Sequence, residues 1–144
     1  MEKDCGLWVN IVSHKLKKRM NENLQDLGIS GLQFRAMHFI LAKSAEGAVF
    51  QRDVERTLGL SRSTATGVLQ LMEKDGLIRR ESVERDARLK RLVPTEKAYE
   101  LNDRLAGYLE RTEDALTRGL TDAQVAAFRQ TLERMSANLD RAEG

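Results

Sequence analysis

A chain of 144 residues with 41% hydrophobic and 32% charged residues suits one domain with its own core, and no apolar run approaches the roughly 18 residues that a membrane-spanning helix needs. The formal net charge is only +2, so any attraction to a polyanion must come from where the charges sit rather than from their sum. One cysteine cannot make an internal disulfide, and the mixed start Met1-Glu2-Lys3-Asp4 lacks the basic-then-apolar pattern of a secretory signal, which together fit a cytoplasmic protein.

Leu7, Trp8, Ile11, Val12, Leu16, Met20, Leu24 and Leu27 recur mostly at helical spacing and predict a long amphipathic helix over residues 4–27, stopped by Gly28. Ser30, with Gln33 three residues on, matches a capping box and opens a second helix. Its apolar positions are Leu32, Ala36, Met37, Phe39, Ile40 and Leu41, and it ends near Ser44. After a loop at 45–48, residues 51–58 make a short helix with Val54 and Leu58 inward; Gly59 stops it and Ser61 caps the next. Over residues 61–75, Ala65, Val68, Leu69 and Met72 fall at i, i+3, i+4 and i+7 and form one buried stripe. The opposite face carries Arg62, Ser63, Thr66, Gly67 and Gln70, which are small or polar.

Residues 77–83 and 89–93 are short and partly β-branched, and Glu84-Arg85-Asp86-Ala87-Arg88 between them predicts a hairpin tip. Pro94 ends the second strand because it has no N–H for the ladder. Thr95 caps a long helix over 96–119 whose stripe is Ala98, Leu101, Leu105, Leu109, Leu116 and Leu120. Thr121 with Gln124 is a further capping box, and Val125, Phe128, Leu132, Met135 and Leu139 then follow at the 3, 4, 3, 4 spacing of a heptad seam. A terminal helix with such a seam packs on a partner helix, which points to a homodimer.

Two helices joined through Gly59-Leu60-Ser61 have the short turn of a helix-turn-helix. The second helix of such a pair protrudes, and Ser, Thr, Arg and Gln on its outer face are donors and acceptors suited to the major groove. Gly67 gives up roughly 1 kcal/mol against alanine in a plain helix and permits close backbone approach there. The cations Arg79, Arg80, Arg85, Arg88, Lys90 and Arg91 cluster beside this helix, against Glu81, Glu84 and Asp86. A second basic run, Lys15-Leu16-Lys17-Lys18-Arg19, reads as a solvated face. By spacing alone the unit is either a DNA-reading head or a helical interaction module whose polar face binds another protein. No phosphate-binding glycine loop, nucleophile signature or cluster of His, Cys and carboxylates marks an enzyme or calls for a cofactor. His14 and His38 are too few for a zinc site.

The constellation resembles the multiple-antibiotic-resistance regulator (MarR) family. The matching residues are Ile29-Ser30-Gly31-Leu32-Gln33, then Leu58 through Gly67, then Leu71-Met72-Glu73-Lys74-Asp75-Gly76-Leu77-Ile78-Arg79-Arg80, Asp86-Ala87-Arg88 and Val93 through Ala98. The resemblance implies a mainly α fold with a small β-hairpin wing, a winged helix-turn-helix with long N- and C-terminal dimerisation helices. It divides a single domain, 1–144, into a DNA-binding lobe at 30–94 and dimerisation helices at 1–29 and 95–144. It also implies a transcriptional regulator, usually a repressor, that binds double-stranded DNA at a pseudo-palindrome as a homodimer and is released by a small-molecule effector or an oxidant.

Carried over to this chain, the resemblance puts Ser61, Arg62, Ser63, Thr64, Thr66 and Gln70 at the major groove and its phosphates. Arg88 becomes the wing arginine of the minor groove, Asp86 orients it or a neighbouring cation, and Lys90 joins the DNA-binding set. An effector pocket would be walled by Trp8, Val12, Met37 and His38. Cys5 is the candidate oxidant sensor, although Asp4 beside it opposes a lowered thiol pKa. Two departures from the family pattern stand out. Pro94-Thr95-Glu96-Lys97-Ala98 replaces the usual Leu-Thr-x-x-Gly, and Phe50-Gln51-Arg52-Asp53-Val54-Glu55-Arg56 is unusually charged.

Overall fold

The computed structural model describes residues 4–84 and 86–141, with the backbone alone at 86 and 87. Among these residues the order is α1 (Cys5–Leu27), α2 (Gly31–Ser44), α3 (Gln51–Leu58), α4 (Arg62–Lys74), β1 (Ile78–Val83), β2 (Asp86–Pro94), α5 (Glu96–Thr117) and α6 (Asp122–Asp140). The fold is mainly α with one small antiparallel hairpin, as the sequence predicts. Helix starts are set locally by side chains that satisfy backbone N–H groups no helical carbonyl can reach. Asp4 accepts from the Leu7 N–H at 2.8 Å, and Ser30 with Gln33 and Thr121 with Gln124 form reciprocal boxes. Asp53 accepts from the Phe50 N–H at 2.9 Å, so an acid of the charged segment 50–56 fixes the start of α3.

The chain forms two compact units, Met1–Tyr108 and Leu109–Gly144. In the first, Met37 and Ile40 of α2, Val54 of α3, Leu69 and Met72 of α4, Leu92 of β2 and Leu105 of α5 are all buried in one core. The stripe Ala65, Val68, Leu69 and Met72 is the buried face of α4, as the spacing requires. Leu24 of α1 and Ala98 and Leu101 of α5 are buried in the same unit. The end of α1 and the first half of α5 thus share one core with α2, α3, α4 and the hairpin.

The hairpin register runs from Ile78↔Pro94 to Ser82↔Lys90, then shifts so that Val83 pairs with Asp86. The second strand thus begins at Asp86, not at 89, and Arg88 is a strand residue rather than part of the tip. The shift inserts the irregularity that lets pairing continue toward a tighter turn. Pro94 is the last member of β2, and the next N–H, that of Thr95, resumes bonding to Leu77 O at 3.1 Å. On the other side of β2 the Leu92 N–H donates to Val49 O at 2.7 Å, which anchors the base of the hairpin to the loop after α2.

In the second unit, α5 ends at Thr117, Gly119 turns the chain at φ 82°, and α6 follows. No residue of α6 is buried; Val125, Leu132 and Met135 of the heptad seam are half-buried, while Phe128 is 59% and Leu139 75% exposed.

Met72 is fully buried between α4 and the rest of the core. Met72→Ala is expected to cost about 2–5 kcal/mol, read as a lowered midpoint with unchanged slope in denaturant unfolding.

Candidate nucleic-acid interface

The turn into α4 depends on one glycine. Gly59 adopts φ 65°, a left-handed conformation that a Cβ disfavours, and this lets the Leu60 N–H close back on Glu55 O at 2.9 Å. Leu60 packs against the core and Ser61 caps α4. The Ser61 hydroxyl accepts from the Thr64 N–H at 3.1 Å and donates to Thr64 Oγ1 at 2.9 Å. Its role in the free chain is therefore to start the helix and to orient Thr64.

From there α4 presents Arg62, Ser63, Thr64, Gly67 and Gln70 as exposed residues, with Thr66 half-buried. Gln51, the first residue of α3, donates to Thr66 Oγ1 at 2.9 Å. Gln51 was not among the residues the sequence singled out, because nothing in local spacing ties it to Thr66. Leu71 is also new: it lies outside the buried stripe and is 53% exposed. The signal for it was present, since an apolar residue off the 65, 68, 69, 72 pattern has no core to enter.

The far end of α4 is held from outside the helix. Gly76 has φ 75°, and the Leu77 N–H returns to Met72 O at 2.8 Å. Gln33 of α2 donates to Asp75 Oδ2 at 3.3 Å, Lys97 of α5 donates to Asp75 O at 2.7 Å, and Thr95 donates to Gly76 O at 2.5 Å. Lys97 also brings a cation to the negative end of the helix dipole. Two of these three bonds come from the segment that departs from the family pattern.

Beside α4 the hairpin carries the basic cluster, much of it engaged with acids. Glu81 accepts from Arg91 Nη2 at 2.7 Å and from Arg79 Nε at 3.0 Å. The hydrogen bond from Arg91, then that from Arg79, holds its carboxyl below the usual glutamate range. Arg80 Nε donates to Glu73 Oε2 at 3.1 Å and so links β1 to α4, while Lys90 Nζ donates to Ser82 Oγ at 2.7 Å across the ladder. Arg88 is exposed on β2. The side chain of Asp86, and with it the role of orienting an arginine, lies outside the described residues.

The four residues expected to wall an effector pocket are not gathered in the single chain. Trp8 and Val12 are exposed on α1, Met37 is fully buried in the core, and His38 is exposed rather than a core group. Adjacent positions on α2 point about 100° apart, so Met37 and His38 diverge; the His38 ring instead lies 5.8 Å from that of Phe34. The cavities lie elsewhere. One of about 280 Å³ is bounded by Ser44, Gly47, Ala48 and β2 residues 91–94, and another of about 190 Å³ by Leu27, Ile29, Asp75, Lys97 and Leu101. Cys5 is exposed at the start of α1. No helix among the described residues is long and apolar enough to cross a membrane.

A short-turn helix pair with a polar outer face on its second helix, flanked by a β-hairpin, defines a winged helix-turn-helix protein. Residues 27–89 match the MarR family model, so this part of the chain is similar to that family of winged-helix regulators. The chain is similar to an uncharacterised HTH-type transcriptional regulator, YybA, of Bacillus subtilis (strain 168): 22% identical over 134 residues, spanning 92% of this chain and 87% of that protein. Its fold is similar to that of MepR, a transcription regulator of the Staphylococcus aureus multidrug efflux pump MepA, at a TM-score of 0.86 and 19% identity over 95% of this chain and 99% of that one. MepR in complex with DNA superposes at a TM-score of 0.78 with 21% identity, over 90% of this chain and 96% of MepR.

Two outcomes follow from this geometry. A Cβ built on Gly67 meets nothing within 4 Å, so Gly67→Ala raises stability by about 1 kcal/mol through helix propensity alone, measurable as an increase in the denaturation midpoint. Glu81 stays charged into more acidic solution than an ordinary glutamate. What its pairs contribute to the hairpin is present at neutral pH and is lost only as the pH falls through that lowered pKa. An NMR titration of the Glu81 side chain is expected to give a midpoint below the usual glutamate value, and Arg91→Ala to move it upward.

Proposed function

We propose that this protein is a sequence-specific DNA-binding transcriptional regulator, a cytoplasmic repressor that binds a pseudo-palindromic operator as a homodimer and is released by a small-molecule effector. The observation that carries the proposal is the outer face of α4: a run of exposed donors and acceptors with a glycine among them, on a helix anchored at both ends beside a basic hairpin. In this reading Arg62, Ser63, Thr64, Thr66 and Gln70 meet base edges and phosphates in the major groove, with Ser61 at the phosphate edge. Leu71 adds an apolar contact suited to a thymine methyl. Arg88 enters the minor groove with Asp86 as its orienting partner, and Lys90 reaches the backbone. The arginines on Glu81 and Glu73 are exposed pairs of the kind that contribute little to stability, and they can trade carboxylate for phosphate.

Dimerisation is supported by apolar surface on each unit. Leu7, Trp8, Val9 and Val12 are exposed on α1, and Leu109, Leu116, Leu120, Phe128 and Leu139 are exposed in the second unit. Apolar faces of this extent mark interaction surfaces, and a second copy of the chain is the partner the family resemblance supplies. An effector wall made of Trp8, Val12, Met37 and His38 then needs the partner's cover. A ligand bound there acts by favouring dimers whose recognition helices are wrongly spaced for the operator. Cys5 is exposed at the start of α1, and release by a small molecule is the reading kept over oxidation.

The test is selection from a random duplex library followed by anisotropy titrations at several salt concentrations. Half-sites about one helical turn apart are expected. Arg62→Ala should cost about 1–3 kcal/mol and relax one base position, while Arg88→Ala should lower affinity and shrink the salt slope by about one. Gly67→Ala, stabilising in the free protein, should weaken binding. Failure to select any sequence, or a monomer in sedimentation at micromolar concentration, sinks the proposal.

A further inference from the structure

We infer that Gln51 is a positioning residue that sets the hydrogen-bond polarity of Thr66, making Thr66 a donor toward the base it faces and so biasing the operator against cytosine at that position. The inference rests on the reading that α4 enters the major groove, and goes beyond it by naming which edge one of its side chains reads.

The argument begins with the amide. Gln51 Nε2 lies 2.9 Å from Thr66 Oγ1 and 3.5 Å from the backbone oxygen of Arg62. A carbonyl oxygen can only accept, so the NH₂ end of the amide must face α4, and the bond to Thr66 runs from Gln51 to the hydroxyl oxygen. That bond occupies one lone pair of Oγ1 and leaves the hydroxyl proton to be placed.

A helical threonine usually has a place for that proton, the carbonyl four residues back. Thr117 donates to Glu113 O at 2.9 Å and Thr131 to Ala127 O at 2.7 Å. Among the hydrogen bonds of the described residues, Thr66 makes no such bond; the corresponding carbonyl, that of Arg62, faces the Gln51 amide instead. The Thr66 proton is therefore directed outward from a half-buried hydroxyl. Once water is expelled from a groove interface, an unplaced O–H donor is costly. The base edges that answer it are acceptors, O6 and N7 of guanine, N7 of adenine or O4 of thymine, whereas cytosine offers only its N4 donor.

Replacing the amide by a carboxylate reverses the polarity. Glutamate at 51 can only accept, so Thr66 must donate inward and turn its lone pairs outward, where they suit the N–H of adenine N6 or cytosine N4. A methionine at 51 keeps the length and removes the hydrogen bond, which lets Thr66 close on its own helix and read nothing.

The experiment uses the full-length protein and duplexes differing only at the base pair whose preference Thr66→Val abolishes. Wild type is expected to disfavour cytosine there by about three- to tenfold, the scale of one net hydrogen bond. Gln51→Met should lose that preference without changing the others, and Gln51→Met with Thr66→Val should lose no more than either alone. Gln51→Glu should shift the preference to adenine or cytosine, over a uniform loss of affinity from its added negative charge. Equal unfolding midpoints for wild type and Gln51→Met establish that the fold is intact; Gln51→Ala replaces it if they differ. Retained preference in Gln51→Met, additive losses in the double variant, or loss spread evenly over every sequence overturns the inference while leaving DNA binding standing. A wild-type protein that selects no sequence overturns both, and does so before any variant is made.

Discussion

The pose of α4 rests on how its C-terminal end is held. Asp75 and Gly76 receive hydrogen bonds from Gln33, Lys97 and Thr95, which belong to α2, α5 and the join before α5. A helix of 13 residues cannot keep its own last carbonyls satisfied, and in isolation it would fray. Here the Asp75, Gly76 and Leu77 N–H groups close back on Leu71, Glu73 and Met72 O. The turn that carries them is held by groups whose own positions are set by the core: Gln33, on the Asp75 carboxylate, is buried and caps α2, and Ala98 one turn on from Thr95 is fully buried. The bonds from Gln33, Lys97 and Thr95 also fix where the chain leaves α4 for β1. The angle of the helix and the position of the wing therefore share one mechanical origin. The replacement of the usual wing-end motif by Pro94-Thr95-Glu96-Lys97-Ala98 keeps this function, because Thr95 and Lys97 supply two of the three donors.

The two ends of α4 differ in kind. The N-terminal end is built from short-range chemistry: a glycine at positive φ, a serine cap, and a hydroxyl passed from Ser61 to Thr64. Across that end lies Gln51, whose amide connects α3 to the outward face. An interface that must discriminate between bases needs its donors and acceptors oriented before the partner arrives. The Ser61–Thr64 and Gln51–Thr66 bonds hold two hydroxyls of the first turns of α4, two residues apart. Arg62 and Gln70 extend from the same exposed face of the helix.

The wing follows a different logic. Its arginines are held in surface pairs, with Glu81 shared between Arg79 and Arg91 and Glu73 bonded to Arg80. These pairs order the side chains across the hairpin, lower the Glu81 pKa and reduce the field that the basic cluster would otherwise project. They explain how a chain of net charge +2 can carry an arginine-rich hairpin beside its polar helix and still stay near neutrality. The cost of exchanging a surface carboxylate for a phosphate is small, because both are well-hydrated anions in a high-dielectric setting.

What the sequence determined by itself is what depends on residues within about one or two turns of each other. Caps at Ser30, Ser61 and Thr121, the glycine stops at 28 and 59, and the stripe of α4 all appear where the pattern puts them, because each rests on hydrogen bonds or burial repeating along one helix. Periodicity also told which face of α4 looks outward. What only the tertiary structure decided are the partnerships between distant residues: Gln51 with Thr66, 15 positions apart, and Gln33 with Asp75, 42 apart. The same holds for the hairpin register that makes Asp86 and Arg88 strand residues. The physical reason is that a hydrogen bond across elements needs two side chains brought within about 3 Å by packing of the whole core. No window along the chain contains that information. For α4, the motif marked the helix and its outer face, while the fold decided that the Thr66 hydroxyl meets the Gln51 amide.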